Sequence, residues 1–225
     1  MAASLAWSYS ALTSFETCPR RHYLTRIAKK VVEPESEAIK WGNRVHAAME
    51  AYLLFGTDLP AGMEQFAALA GKIKAKGAEP DASIEAERKV CLNDSYKPVT
   101  YFAKDAWVRG VLDLSVKKRS KLFVGDWKTG KPKPASDQLK LFAALAMETD
   151  PEVEEVVTAF IWLQPGTLTI DRFTREDLPG IWQEFIPRVA RLQHAVTADK
   201  FPPRPSGLCR NWCPVGKHNC DYCGG

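Results

Sequence analysis

Two neighbouring segments carry acidic and basic side chains at a spacing that suits phosphate chemistry. Asp113 lies in the strand-like run Arg109–Leu114, and Asp126 and Lys128 end the next apolar run. Because side chains alternate along a strand, Asp126 and Lys128 share a face, and a hairpin would bring Asp113 beside Asp126. Two carboxylates in one pocket repel unless a cation such as Mg²⁺ or Mn²⁺ lies between them. Lys128 could then orient a water molecule and offset charge on a phosphate. The alternative is a strand end that simply enters a charged turn.

The same segment overlaps a nucleotide-binding motif. Gly125, Gly130 and Lys131 match the first seven positions of a phosphate-binding P-loop, but Pro132 stands where Ser or Thr should hold Mg²⁺. A P-loop also needs a helix that opens directly after the lysine, and Pro132 and Pro134 cannot supply its backbone N–H groups. Nucleotide hydrolysis is therefore a disfavoured hypothesis.

Cysteines are concentrated near the end of the sequence. The chain has six, at positions 18, 91, 209, 213, 220 and 223. In a cytosolic chain this distribution indicates metal binding rather than disulfides. The run Cys209-x3-Cys213-x6-Cys220-x2-Cys223 could by itself form a tetrahedral Zn²⁺ knot. Cys91 lies in a predicted strand and is interpreted as a small buried apolar residue.

Composition and charge exclude several classes of protein. The 225 residues contain 31 Lys and Arg against 27 Asp and Glu, a net charge of +4. Basic residues cluster between Arg20 and Lys30 and between Lys117 and Lys133, which would suit a phosphate-rich ligand or a solvated face. No apolar run approaches the roughly 20 residues of a membrane span. Met1–Trp7 lacks the features of a signal peptide, so we expect a cytoplasmic protein.

Hydrophobic periodicity predicts an α/β core with an N-terminal helical portion. Two short helices should meet at Cys18-Pro19, because proline is tolerated only at a helix start. Turn signals separate the predicted strands, so a mostly antiparallel arrangement is expected before the next helix. The predicted helices cover residues 8–28, 39–55, 61–76, 136–147 and 176–196, and the predicted strands cover 84–92, 99–103, 107–116, 121–127, 156–163 and 168–173.

Several motifs, in one order, resemble a known family. The pair Gly110–Asp113 and Asp126–Gly130 resembles the G-x-x-D and D-[YFW]-K-T-G strands of PD-(D/E)xK nucleases of the RecB type. Trp41–His46 is similar to their G-x-x-x-H helix. Gln138–Phe142 resembles their Q-x-x-x-Y helix, with phenylalanine in place of tyrosine. Ser10–Tyr23, with Cys18-Pro19-Arg20, resembles the opening of the iron–sulfur members, which include the AddB nuclease and CRISPR-associated and phage-encoded exonucleases.

This resemblance implies a restriction-endonuclease-like fold, in which a mixed sheet is flanked by helices. It divides one integrated domain into an N-terminal helical portion at 1–80, a nuclease core at 81–198 and a cysteine-rich metal-binding tail at 199–225 that packs back on the N-terminus. The implied ligands of Mg²⁺ or Mn²⁺ are His46, Asp113, Asp126 and the backbone carbonyl of Trp127. The implied catalytic residues are Asp113, Asp126, Lys128, which would orient the attacking water, and Gln138, which would support the substrate or the lysine.

The family likeness also implies a second metal group. Cys18, Cys209, Cys213 and Cys220 would bind a 4Fe–4S iron–sulfur cluster, with Cys223 as a spare. The family tail has the pattern C-x2-C-x5-C, and each gap in this chain is one residue longer. A structural Zn²⁺ ion is therefore the alternative to the cluster.

The combined expectation is a divalent-metal-dependent DNA nuclease. It would act as an exonuclease on single-stranded or frayed ends, in DNA recombination or repair or in phage or CRISPR DNA processing. DNA is the expected partner, and no membrane is involved. The alternative is a catalytically silent DNA-binding module with a structural zinc knot. Cleavage polarity and oligomeric state are not encoded in these motifs.

Overall fold

The computed structural model describes residues 6–134 and 136–223, which form two compact units. The larger unit is the continuous segment Ser36–Trp182, and the smaller unit combines the described residues up to Glu35 with those from Gln183 onward. Most of Met1–Trp7, on which the expectation about a signal peptide depends, lies outside the described residues. The predicted division into 1–80, 81–198 and 199–225 follows the order of motifs in the sequence and has other boundaries than these two units. It stays a prediction.

Six α-helices and five strands make up the regular structure of the described residues. The helices are α1 (Tyr9–Thr17), α2 (Pro19–His22), α3 (Glu37–Phe55), α4 (Ala67–Gly77), α5 (Asp137–Thr149) and α6 (Leu178–Thr197). The strands are β1 (Ala82–Leu92), β2 (Val108–Lys118), β3 (Lys121–Lys128), β4 (Glu155–Trp162) and β5 (Thr167–Thr174). None of the helices, as far as the chain is described, is long and apolar enough to cross a membrane.

The larger unit is built on one mixed sheet with the strand order β1-β2-β3-β4-β5. Neighbouring strands are antiparallel except β3 and β4, which are parallel. The parallel pair follows from α5, because parallel neighbours need a crossover connection and α5 supplies it. The predicted α/β fold, with a mixed sheet flanked by helices, is confirmed.

Side chains from α3 and α4 form a core with one face of the sheet. Val45 and Met49 of α3 and Phe66 pack with Trp127 of β3 and Ile161 of β4, and all five are buried. On the opposite face of β4, Phe160 and Trp162 pack with Leu139 of α5. Trp127 is buried in the core beneath α3 and α4. Because side chains alternate along β3, Asp126 and Lys128 therefore point to the opposite face, where α5 begins.

Gly110 allows a close approach between β2 and α5. A Cβ atom at this position would lie 2.7 Å from Leu145 Cδ1 and 3.3 Å from Val90 Cγ2. Gly110→Val is therefore expected to lower the free energy of unfolding by about 1–3 kcal/mol, the usual cost of overpacking a core. Urea unfolding measures the change. Gly130→Ala is the control, because nothing lies within 4 Å of a Cβ atom there. Equal midpoints for the two variants would contradict this packing.

Two predicted elements are wrong in whole or in part. Residues 99–103 do not form a strand: Thr100 and Ala103 begin turns, closed by hydrogen bonds of 2.9 and 3.2 Å, and the only bridge described nearby joins Leu92 to Pro98. The residue types favour a strand, but proline and the turns remove the ladder. The helix predicted from residue 61 starts as a 3₁₀ turn at Glu64, and α4 follows, because Gly62 has a φ of +85°.

Within the smaller unit, α1 and α2 meet at Cys18-Pro19, as predicted. The Arg188 guanidinium of α6 donates two hydrogen bonds of 2.7 Å to the Glu16 carboxylate at the end of α1. Such a bidentate pair fixes the orientation of both groups. It ties the start of the chain to α6, which continues through Pro187.

Candidate functional site

Asp113 and Asp126 lie where β2 and β3 separate. The last hydrogen-bonded pair of this hairpin joins Leu114 to Gly125, and the two aspartates occupy the next position on each strand. Asp113 Oδ2 accepts a hydrogen bond of 3.0 Å from the backbone N–H of Trp127, a group that the opposite strand no longer pairs. The carboxylate therefore sits inside the opening between the two strands.

The electrostatics of this pair are unfavourable without a further cation. Burial, and then the charge of Asp126, raise the pKa of Asp113 to about 8. Burial also raises the pKa of Asp126, although Lys128 and Gln138 oppose that rise. Burial and the repulsion between the two carboxylates thus both favour the protonated form of Asp113.

Lys128 and Gln138 both hold Asp126. The Lys128 ammonium forms an ion pair with Asp126 Oδ2, and it lies 4.9 Å from the centre of the Phe160 ring. Gln138 Nε2 donates a hydrogen bond of 2.9 Å to Asp126 Oδ1. Gln138 stands in the first turn of α5, where the Ser136 hydroxyl caps the helix by accepting from the Gln138 N–H. Strand alternation and a helix cap thus position these three side chains.

His46 reaches the site from the middle of α3. Its Nε2 lies 3.0 Å from the Trp127 carbonyl oxygen, and its Nδ1 lies 3.3 Å from Asp113 Oδ2. The two ring nitrogens of His46 thus face one backbone oxygen and one carboxylate oxygen of the site. The Trp127 carbonyl, predicted from the resemblance as a metal ligand, is bonded to His46 in this arrangement.

Glu87 also belongs to the site and was missed from the sequence. Its carboxylate lies with the ligand atoms of His46 and Asp113 in a group whose members are all within 4.8 Å of one another. The β1–β2 register places Glu87 opposite Asp113, although its φ of +50° interrupts the ladder there. Such strained backbone is concentrated at functional sites. Only the register, which links residues far apart in the chain, could have revealed it.

These residues fit a divalent cation. One imidazole nitrogen and two carboxylates converge, a donor set that suits Mg²⁺ or Mn²⁺ with room for water. Burial and the charge of Asp126 both oppose ionisation of Asp113, and a bound cation would counter both effects. The P-loop hypothesis loses support, because residues 132–134 do not form the helix that it requires after Lys131.

Five cysteines line one cavity of the smaller unit: Cys18, Cys209, Cys213, Cys220 and Cys223. Cys18 Sγ accepts a hydrogen bond of 3.4 Å from the Arg204 backbone N–H, and Cys209 Sγ accepts one of 3.3 Å from the Ser206 N–H. Burial, with Cys213 and Cys220 as neighbours, raises the pKa of Cys223 to about 12.

Three arginines, at positions 20, 21 and 204, line the same cavity. They bring positive charge to the cavity that the cysteines line. Cys91 is buried in β1, as predicted, and His218 is exposed. Cys91 therefore does not belong to the group of cysteines that line the cavity.

Comparison with known proteins identifies the fold and the family. No curated protein sequence is significantly similar to the chain. A crystal structure from Eubacterium rectale, of a protein whose name proposes an exonuclease, has a TM-score of 0.55 at 12% identity and covers 97% of this chain and 90% of its own. The crystal structure of SSO0001 has a TM-score of 0.49 at 16% identity, with 96% and 86% covered. The first likeness shows a shared fold. The model of the PD-(D/E)XK nuclease superfamily matches residues 6–223. The chain therefore belongs to the PD-(D/E)XK nuclease superfamily.

Proposed function

We propose that this protein is a divalent-metal-dependent DNA nuclease that acts as an exonuclease on single-stranded or frayed ends. Membership of the superfamily implies phosphodiester hydrolysis and a nucleic-acid substrate. The observation that carries the proposal is the meeting of His46, Glu87 and Asp113 beside the Asp126–Lys128 ion pair. We place the activity in DNA recombination or repair, or in phage or CRISPR DNA processing, within the cytoplasm.

Each side chain has a proposed role. Bound Mg²⁺ or Mn²⁺ supplies Lewis acidity for phosphodiester hydrolysis. His46, Asp113 and Asp126, together with Glu87, would hold the ion, and the Trp127 carbonyl is proposed as a further ligand. Lys128 would orient the attacking water and offset charge on the phosphate.

Gln138 is proposed as a positioning residue. Its bond to Asp126 Oδ1 fixes the carboxylate so that Oδ2 faces the Lys128 ammonium. A hydrogen bond to a charged carboxylate stabilises the ionised form, which is the form that binds a cation. Because the helix cap at Ser136 orients this turn, Gln138 needs no contact with the substrate for this role.

A cleavage assay tests the proposal. End-labelled single-stranded DNA is incubated with protein purified without oxygen, in the presence of Mn²⁺ or of EDTA, beside duplex DNA and RNA. The single-stranded DNA is expected to be degraded in the samples with Mn²⁺ and to persist in those with EDTA. The fate of the label gives the direction of digestion. Retained DNA binding with no cleavage in any lane would instead favour the silent binding module.

We further propose that Cys18, Cys209, Cys213 and Cys220 bind a 4Fe–4S cluster, with Cys223 as the spare cysteine. Cys18 brings a ligand from the N-terminal segment into the same cavity as the C-terminal cysteines. Its sulfur and that of Cys209 accept backbone N–H hydrogen bonds, a feature of cluster thiolates. A tetrahedral Zn²⁺ site on the same cysteines is the alternative.

Cys18→Ser is expected to remove the brown colour and most of the iron from protein purified without oxygen, because no other described cysteine from the N-terminal segment lines the cavity. Visible absorbance and iron and zinc analysis measure the effect. Cys91→Ala is the control, since Cys91 lies in β1, outside this cavity. Colourless wild-type protein with about one zinc per chain would establish the zinc alternative.

A further inference from the structure

A basic and aromatic strip extends from the metal site along β1 and β2. Arg109, Val111 and Asp113 alternate with buried residues of β2, so these three share one partly exposed face. On β1, Lys89 lies opposite Val111 and is exposed. Arg109 and Asp113 are four positions apart along the strand, a distance of about 13 Å. The face that carries the carboxylates thus becomes positively charged towards the connection between β1 and β2.

The connection between β1 and β2 adds two aromatic rings to this face. Phe102 is 78% exposed, and its ring contacts Tyr101 edge to face at 5.2 Å. The Arg109 guanidinium lies 5.6 Å from the Tyr101 ring and 5.8 Å from the Phe102 ring, and Lys89 Nζ lies 5.8 Å from Tyr101. These cation–π contacts hold the two cations beside the rings.

Charge in this connection does not cancel the cations of the strip. Its two acidic residues, Asp94 and Asp105, are balanced by two exposed lysines, Lys97 and Lys104, so the connection is neutral and the charges of Lys89 and Arg109 remain. The surface therefore combines an exposed ring with positive charge, the combination that binds unpaired nucleotides through their bases and phosphates.

We infer that the strip formed by Lys89, Tyr101, Phe102 and Arg109 binds single-stranded DNA and leads it to the metal site. The inference rests on the proposed function and adds the residues that bind the single strand outside the metal site. Phe102 stacks on a base, while Lys89 and Arg109 contact phosphates. The span of about 13 Å corresponds to about four nucleotides of a stacked strand. An unpaired strand is favoured because its bases are free to stack.

Binding of fluorescein-labelled oligothymidylate, followed by fluorescence anisotropy in EDTA, tests the strip without cleavage. Phe102→Ala is expected to raise the Kd about tenfold, the effect of losing one base–aromatic stack. Phe102→Trp should retain binding. Phe55→Ala is the matched control, because Phe55 is 77% exposed but lies at the end of α3, and it should leave the Kd unchanged. Lys89→Gln should reduce the slope of log K against log salt by about 0.7.

Unchanged affinity of Phe102→Ala would overturn the inference, and so would equal weakening by Phe55→Ala. Equal competition by a blunt duplex would overturn the preference for a single strand. If binding depends on Phe102 but the wild-type protein does not cleave DNA with Mn²⁺, the strip is supported and only the proposed function is rejected. If the wild-type protein cleaves DNA but binding does not depend on Phe102, the proposed function is supported and only the strip is rejected.

Discussion

Asp126→Asn is expected to reduce metal-dependent cleavage of DNA about 1000-fold, while the fold and DNA binding persist. The amide has the shape of the carboxylate and still accepts the hydrogen bond from Gln138, so the start of α5 stays in place. It lacks the charge that pairs with Lys128 and that would hold a cation. Loss of one preorganised electrostatic group costs about 100- to 1000-fold, and loss of affinity for the metal adds to it.

Single-turnover cleavage rates with saturating Mn²⁺ measure this effect, with circular dichroism and DNA binding in EDTA as checks on the fold. Asp58→Asn is the matched control, because Asp58 is exposed in the loop after α3. Lys128→Ala should give a loss of similar size. Cleavage at the wild-type rate by either site variant would remove these residues from the proposed mechanism.

The metal-free protein is expected to lose stability as the pH rises from about 4 to about 8. Burial and Asp126 raise the pKa of Asp113 from 3.8 to about 8, so the folded state binds the proton more tightly than the unfolded state does. The stabilisation is complete below the unfolded pKa and is lost as the pH passes through the folded pKa. Because Asp113 is largely buried, the change should amount to a few kcal/mol.

Urea unfolding in EDTA at several pH values measures this change, and Asp113→Asn provides the comparison. The variant should be more stable than the wild type at pH values above the folded pKa, and its stability should depend less on pH in this range. Mn²⁺ should raise the Tm of the wild type at high pH and leave that of the variant nearly unchanged. Parallel pH profiles for the two proteins would show that Asp113 is not buried as a proton-binding group.

Local patterns predicted how three of the candidate side chains, Asp113, Asp126 and Lys128, are placed on their strands. Alternation along β3 places Asp126 and Lys128 on one face, and a hairpin brings Asp113 to the position beside Asp126. His46 and Gln138 came from the family resemblance, and the structure brings both to the same place. Their proposed chemical roles stay predictions, because geometry alone does not measure catalysis.

Features that depend on distant parts of the chain could not be predicted in the same way. Glu87 joins the site through the β1–β2 register and a left-handed φ, neither of which has a local signal at a glutamate. The run at residues 99–103 has strand-forming residue types, but its pairing with β1 stops after the Leu92–Pro98 bridge and the hydrogen bond from the Val99 N–H to the Cys91 carbonyl, because turns follow. Its exposed ring at Phe102 became meaningful only beside Arg109, which precedes the metal site on β2.

The two units differ in how the chain contributes to them, and this has a consequence for the order of folding during synthesis. Ser36–Trp182 is one continuous stretch, so the sheet and the carboxylate site can form as soon as that stretch has left the ribosome. The smaller unit must wait for Gln183 and the residues beyond it, and it must then bring together two segments separated by the whole larger unit. Cys18 is made early and stays without its four cavity partners until the last part of the chain emerges. A metal bound by all of these cysteines would therefore be acquired last, by a chain in which the sheet and the carboxylate site can already have formed.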